Sequence, residues 1–447
     1  MKLPFGLSDR QSLARQLAET TIVSAAVRIG GIGLTFLVGV QLSRYLGPAG
    51  YGVYGTVMAI AALLIVPAQL GLPQLVTREI AVALSKNLPA EVKGVTVSFI
   101  AAVLLASVFL MGLAFGAYKI WGDAIGESYL KAYLWGISIV PLFALTNLAA
   151  SILRGFHRQV LALLFEIAIR PALFACLLFV GMRAYAGLNA SDAIAMQSGA
   201  AAIVMLLTFY CVWQLLPANV LSQRVAKYKF RAWGAAALPM LTTEIVRVVE
   251  GQYAILLLGL LVTIDQVGLF RVAASTAALL LMPQTLLNIV VMPHAAQLRA
   301  AGDTRRLQWL AASSGGLAFV GTITLTLAIY FFGETFLTVV FGKPYGASWP
   351  TLLAISVAYT ISAYFGVGAT ILNMTGFEKS VTLTFAVGLV VGIPLMILLA
   401  AKYGIVGAGL AMIAAEIVKG CITQYMTKKA LAIDPSAMAL ARLAFRK

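Results

Sequence analysis

The chain has 447 residues, 61% of them hydrophobic and only 11% charged, with a mean hydropathy of +0.95. Soluble proteins carry about 25% charged residues, and apolar runs here reach the roughly 20 residues that cross a bilayer, which excludes a soluble globular domain. The formal charge of +16 then reads as the Lys and Arg surplus of cytoplasmic loops, not as a nucleic-acid surface.

Residues 1–19, with Arg10, Arg15 and Glu19, lack the apolar core of a signal peptide and are expected to form a cytoplasmic N-terminal segment. Twelve apolar spans follow, at approximately 20–43, 53–76, 95–117, 130–153, 160–182, 193–216, 234–260, 268–292, 311–332, 349–374, 381–401 and 404–426. A polar link, 217–233, separates an N-lobe of six spans (20–216) from a C-lobe of six (234–426), and 427–447 reads as a basic cytoplasmic tail. The expected fold class is an all-α integral membrane protein of two six-helix lobes. Apart from Arg28, Arg170, Arg247 and Lys419, only Arg44, Lys119, Lys131, Arg183, Arg271, Lys343 and Lys402 fall on one side, and every other Lys and Arg falls on the other. That imbalance predicts a multi-pass protein of the cell's inner (cytoplasmic) membrane with both termini in the cytoplasm. Cys176, Cys211 and Cys421 lie inside apolar segments and read as small core residues.

The two halves echo each other. Sliding 46–79 forward by about 216 residues puts Gly52 on Gly268, Tyr54 on Phe270, Pro67 on Pro283 and Arg78 on His294. Each half then carries a basic, partly amphipathic segment, 78–93 and 294–309, expected to lie along the inner membrane surface. A Gly-Phe corner also recurs, as Gly155-Phe156 and Gly376-Phe377. Because each half has an even number of spans, the duplication is a parallel repeat about an axis along the membrane normal, with a cleft between the lobes.

The turn Leu46-Gly47-Pro48-Ala49-Gly50-Tyr51-Gly52, the run to Leu70-Gly71-Leu72, and Thr77-Arg78-Glu79 resemble the N-terminal signature of the polysaccharide-transporter (oligosaccharide or O-antigen flippase) family. That family lies within the multidrug/oligosaccharidyl-lipid/polysaccharide exporter superfamily. The Arg154-Gly155 corner and Gly268-Leu269-Phe270 also fit it. The resemblance implies a two-lobe flippase that moves a polyprenyl-diphosphate-linked glycan from the inner to the outer leaflet. It allows a glycan polymerase or export proteins as partners beside the lipid-linked substrate and the bilayer. Drug exporters of the same superfamily also have twelve spans, so a cation-coupled multidrug exporter is the alternative.

Ionisable groups inside spans are costly and mark function. They are Arg28; Glu166 and Arg170; Glu244, Arg247 and Glu250; and Glu416 and Lys419. Ser24, Arg28, Gly31 and Thr35 form one stripe of the first helix, on which Ser24 and Thr35 join Arg28 as candidate substrate contacts. Arg28, without an acid on that helix at its depth, is expected either to grip a diphosphate or to pair with Glu244 or Glu250 across the lobes. Arg247 stands three residues from Glu244 and from Glu250, and is open to ligand binding or to a pair within its own helix. Glu166 and Arg170 are an i,i+4 pair, expected to partner and so keep two buried charges tolerable, with Arg170 also a candidate substrate contact. Lys419, near the inner end of its span beside Glu416, is expected to snorkel to the interface. Glu250, Glu244 and Glu166 are the candidates to couple transport to a proton or sodium ion, with Glu250 the deepest. The first and seventh helices are expected to line the cleft.

An enzyme is the competing class. The longer outer links, 118–129 and 333–348, offer only Asp123, Glu127 and Glu334, and His157 and His294 stand apart. No Ser/His/Asp grouping, metal-ligand spacing or phosphate-cradling loop is legible. The sequence therefore reads as a transporter and not an enzyme, with no cofactor beyond a coupling ion.

Overall fold

In a bilayer each backbone N–H and C=O must be satisfied within its own segment, so long apolar runs fold as helices. The computed structural model describes residues 7–121, 127–184, 187–217, 220 and 227–444, and among them it contains helices and no strand. Residues 1–6, Asp123 and most of the inner half of the 217–233 link lie outside the described residues.

In chain order the helices are α1 (Leu7–Gln69), α2 (Leu72–Ser85), α3 (Pro89–Trp121), α4 (Glu127–Gly155), α5 (Gln159–Leu163) and α6 (Arg170–Ala184). There follow α7 (Ala190–Leu215), α8 (Phe230–Leu261), α9 (Ile264–Ala277), α10 (Met282–Ala300) and α11 (Thr304–Val340). The last are α12 (Trp349–Tyr364), α13 (Gly368–Met374), α14 (Glu378–Leu431) and α15 (Ala437–Ala444). Among the described residues eight segments are long and apolar enough to cross a membrane, and the bent pair ending in α12 and α13 makes another. Two of the eight are double, because α1 and α14 turn sharply at Gly47 (φ 67°) and Gly404 (φ 58°). With α8 added, the twelve expected spans are all present. A side chain at either bend would be held in a left-handed conformation, which glycine adopts at little cost.

The lobes are fastened by a helix crossing that the repeat places on its own axis. A Cβ added to Gly52 would lie 2.1 Å from the Ile264 carbonyl oxygen, and one added to Gly268 would lie 2.0 Å from that of Pro48. Gly52 and Gly268 thus face each other in equivalent turns, each four residues past its counterpart's contact. Three residues on, Arg271 Nη1 donates to the Gly55 carbonyl at 3.2 Å and its guanidinium covers Tyr51 and Tyr54. Small residues are what allow two membrane helices to approach this closely.

Around this crossing one apolar cluster draws on both halves, from Val38, Tyr51 and Tyr54 to Leu258, Phe270, Tyr345 and Met396. It lies at the end that carries Arg44, Arg271 and Lys343. There the Arg44 Nε donates to the Val340 carbonyl at 2.6 Å, the Tyr345 hydroxyl donates to the Ser43 carbonyl at 2.9 Å, and Phe36 meets Phe341 edge to face. The lobes are sealed at this end.

Several expectations change. The basic segment after the second span packs on its lobe: α2 turns Leu72, Leu75, Val76, Ile80 and Ala83 inward against α3 and α4 and leaves Arg78, Ser85 and Lys86 exposed. Its counterpart α10 packs against α11 and α13 through Val291 and Ala295. An amphipathic face needs an apolar partner, and the lobe supplies it. The N-terminal segment is not separate either, since α1 is continuous from Leu7 into the first span. The Gly-Phe corners are equivalent turns but slip by two residues. Arg158 N–H reaches the Leu153 carbonyl across His157 (φ 61°), whereas Phe377 N–H reaches that of Leu372 across Gly376 (φ 88°). His157, and not Gly155, is therefore the partner of Gly376. Cys176 and Cys421 are exposed on the bundle's outside instead of in its core, where lipid is as apolar a solvent as the interior.

The expected basic tail is folded back. After Leu431 the chain reverses at Ala432 (φ 57°), and α15 docks on α11. Gln308 brackets the Asp434 backbone, donating to its carbonyl at 2.8 Å and accepting from its N–H at 2.6 Å. Burial alone would raise the Asp434 carboxyl, but hydrogen bonds from Gln424, Lys428 and Ser436 outweigh it and hold the group down at about 2. The stabilisation from such a depressed group is present above its unfolded value and is lost as pH falls through the folded one. Asp434→Asn is therefore expected to lower the melting temperature at neutral pH, with the gap to the wild-type protein closing between about pH 4 and about pH 2. Thermal unfolding of the two purified proteins across that range checks this; a gap that persists at the lowest pH would show the carboxylate to be irrelevant.

Candidate functional site

Two cavities lie on the other side of the crossing from the sealed end. The first, of about 880 Å³, is lined by Gln69, Gly71, Gln74 and Thr77 from the second span, Asn147, Ser151 and Arg154 from α4, Glu166 and Arg170 from the fifth span, and Met240, Glu244 and Arg247 from α8. Gly71, left-handed at φ 71°, is what lets the second span touch α8, because a Cβ there would meet the Ala237 carbonyl at 2.6 Å. The second cavity, of about 680 Å³, lies among α8, α10, α12 and α14 and is lined by Glu250, Tyr253, Tyr359, Glu416 and Lys419 among others. Arg247 lines both.

The ion pairs differ from those the spacing predicts. Glu166 does not pair with Arg170; it takes Arg154, whose Nη2 lies 2.6 Å and Nη1 3.3 Å from Oε1. Pro171 has no N–H to give the Ile167 carbonyl and its ring crowds that oxygen, and residues Leu164–Ile169 form a π-helix that widens the turn. With the Glu166 carboxylate taken by Arg154 from α4, the Arg170 side chain turns to Phe143 instead. Arg170 is left with its guanidinium 4.1 Å from the Phe143 ring centroid and with a buried Nη1 that has no hydrogen-bond partner. A guanidinium over a ring is stabilised through the ring's quadrupole, which satisfies its charge but not its donors.

On α8 the three charges divide. Arg247 pairs with Glu244 alone, at i,i+3. Glu250 instead bonds Lys419 of α14, and Lys419 also holds Glu416 at 2.5 Å. Lys419 is 9% exposed, so it does not snorkel: two carboxylates and the Phe385 ring, 5.7 Å away, hold it inside the lobe.

The first span contributes less than its stripe suggests. Arg28 is exposed, lines neither cavity and has no ion pair among the described residues. The Ser24 hydroxyl is buried without a partner. The Thr35 hydroxyl is spent on the Gly31 carbonyl of its own helix at 2.8 Å. Of the two helices expected to line the cleft, only the seventh span does so. Arg154 was missed as a site residue because it ends a helix at a turn, where basic residues are ordinary; only the displaced Glu166 gives it a role.

The cavity charges are equal in number but not mixed. The first cavity holds three guanidiniums against two carboxylates, and beyond Arg247 the second holds one ammonium against two. One side carries a surplus positive charge and the other a surplus negative one.

The sequence pattern of the family described as "Polysaccharide biosynthesis protein" matches residues 17–299. The chain belongs to that family. No curated protein matches the sequence. Among solved structures, this polysaccharide biosynthesis family member is similar to an inward-facing multidrug resistance MATE family transporter of the MOP superfamily. The TM-score is 0.75 at 12% identity, covering 92% of this chain and 98% of that one. It is also similar to the lipid II flippase MurJ in an inward closed conformation, at TM-score 0.72 and 14% identity, covering 91% and 87%. A MOP superfamily transporter from Pyrococcus furiosus, described as having a binding pocket of reverse polarity, matches at TM-score 0.66 and 12% identity, covering 92% and 95%. The two-lobe fold of that superfamily is therefore the fold of this family member.

Proposed function

We infer that this protein is a flippase for a polyprenyl-diphosphate-linked oligosaccharide, moving it from the inner to the outer leaflet of the cytoplasmic membrane by alternating access. The observation that carries this reading is the buried Arg170 Nη1, without a hydrogen-bond partner, in a cavity with a net positive charge that Arg154 and Arg247 also line. A guanidinium kept in a membrane protein's interior with spare donors needs an anion, and a diphosphate offers oxygens at the spacing of its fork. On this reading the lobes sealed at the Arg44 end and hollow at the basic end are inward-open, with both termini cytoplasmic. Binding and release are the whole of the chemistry, so no residue is assigned a bond-making role. Arg154, Arg170 and Arg247 hold the substrate. Arg28, Ser24 and Thr35 lie outside this site in the inward-open state, and Arg28 is the one with free donors to meet the anion on its way out.

The likeness to a drug transporter supports export of a small molecule as the second reading; a pocket for organic cations needs surplus acid, which the first cavity lacks and the second carries only on Glu250 and Glu416, both engaged by Lys419. Complementation separates the two. A strain whose own flippase gene is deleted is expected to regain surface glycan on expressing this chain and to lose it again with Arg247→Ala, with drug resistance unchanged throughout. Restored drug resistance without surface glycan would replace the flippase reading by the exporter.

A further inference from the structure

Around its ion cluster the second cavity carries neutral hydrogen-bonding groups that the protein does not use. Asn288 of α10 accepts from the Thr370 hydroxyl through Oδ1 at 2.9 Å, which fixes its amide and leaves Nδ2 without a partner among the described residues. The Tyr253 and Tyr359 hydroxyls, on α8 and α12, line the same cavity and are likewise unpaired among the described residues. The Phe365 and Phe385 rings share that lining. We propose that this cavity is the glycan subsite of the transported lipid, taking the neutral sugars that follow the diphosphate and rejecting sugars that carry a carboxylate.

A pyranose presents hydroxyls round its rim and C–H bonds on its faces. Aromatic rings and neutral donors and acceptors therefore hold it, and free charge is not needed. The cavity's volume of about 680 Å³ lies within the roughly 300–1,000 Å³ of small-molecule pockets. A hydrocarbon chain fits this lining badly, because the amide, the two hydroxyls and the ion cluster would be dried without gaining partners. Sugar hydroxyls, which both donate and accept, give each of them one. Charge then selects among sugars. Glu250 and Glu416 stand against the single ammonium of Lys419, which bonds both. A carboxylate held in this way still accepts from a hydroxyl, but a uronate would bring a third carboxylate to one cation in a poorly screened place.

Position fits as well. Arg247 lines both cavities, so a diphosphate held by Arg154, Arg170 and Arg247 in the first lies beside the second. One lipid-linked molecule then meets positive charge at its diphosphate and neutral donors at its sugars. The subsite rests on the flippase reading, which supplies the diphosphate.

Binding to the purified full-length protein in detergent tests this with three kinds of probe. They are a polyprenyl diphosphate without sugar, the same lipid carrying each of a panel of neutral hexose and N-acetylhexosamine trisaccharides, and the same trisaccharides with one hexose oxidised to its uronate. The best neutral trisaccharide is expected to bind at least about tenfold tighter than the sugar-free lipid, the worth of one or two hydrogen bonds. Oxidation should remove that gain. Asn288→Ala and Tyr359→Phe should each cut the gain severalfold while sugar-free binding, which reports an intact fold, stays as it is. Equal affinity for sugar-free and sugar-bearing lipids across the panel overturns the proposal and leaves the flippase reading standing. So does a uronate form held as tightly as its neutral parent, or a gain that survives both variants. A protein that binds no diphosphate lipid at all refutes the flippase reading itself, and the glycan subsite falls with it.

Discussion

Alanine at either Gly52 or Gly268 is expected to be among the most damaging single substitutions in this protein. The added methyl would lie about 2 Å from a carbonyl oxygen of the opposite helix, and both partners are backbone, which cannot rotate aside as a side chain can. The helices must separate, and the apolar cluster that seals the lobes around them must separate too. The cost should reach about 3 kcal/mol, the upper end for overpacking. Since the two glycines fill one gap, a separation forced by the first methyl already makes room for the second. The double variant should therefore lose much less than the sum of the two single variants. Melting temperatures of the four purified proteins measure this cycle. Additive losses would mean that the two glycines act independently, and the shared crossing would not be the fastening of the lobes.

The second large effect is on transport, with stability moving the other way. Arg170→Met is expected to reduce transport by at least about tenfold, the size of one charge-assisted hydrogen bond to a ligand. Its melting temperature should be unchanged or higher. Methionine keeps an apolar contact with Phe143 and removes a buried donor that nothing in the protein satisfies. Arg170→Lys should recover only part of the transport, since an ammonium cannot make the paired contact of a guanidinium. Surface glycan and melting temperature are read on the same preparations. If Arg170→Met lowers both together, Arg170 holds the fold and the anion site must be sought around Arg154 and Arg247.

Much of the architecture was legible because the bilayer makes sequence periodicity nearly sufficient. Twelve apolar runs, a repeat offset of about 216 residues and the Gly52/Gly268 register follow from hydropathy and spacing alone, and the structure has all three. The side-chain partners were another matter. The i,i+4 spacing of Glu166 and Arg170 is a correct inference for one helix, and it fails because Arg154, on a neighbouring helix, takes the Glu166 carboxylate. Lys419 looked free to reach the interface because nothing in its own helix beyond Glu416 holds it; its second partner sits 169 residues away on α8.

The sequence by itself determined the solvent, the number of spans, the two-lobe duplication and which ionisable residues lie at membrane depth, since these depend on composition and local period. Only the tertiary structure decided which charge meets which. Pairing across helices depends on rotation and depth, and one π-turn or one slipped corner alters both without leaving a periodic trace. That assignment turned an evenly balanced set of charges into a positive cavity and a negative one, meeting at Arg247.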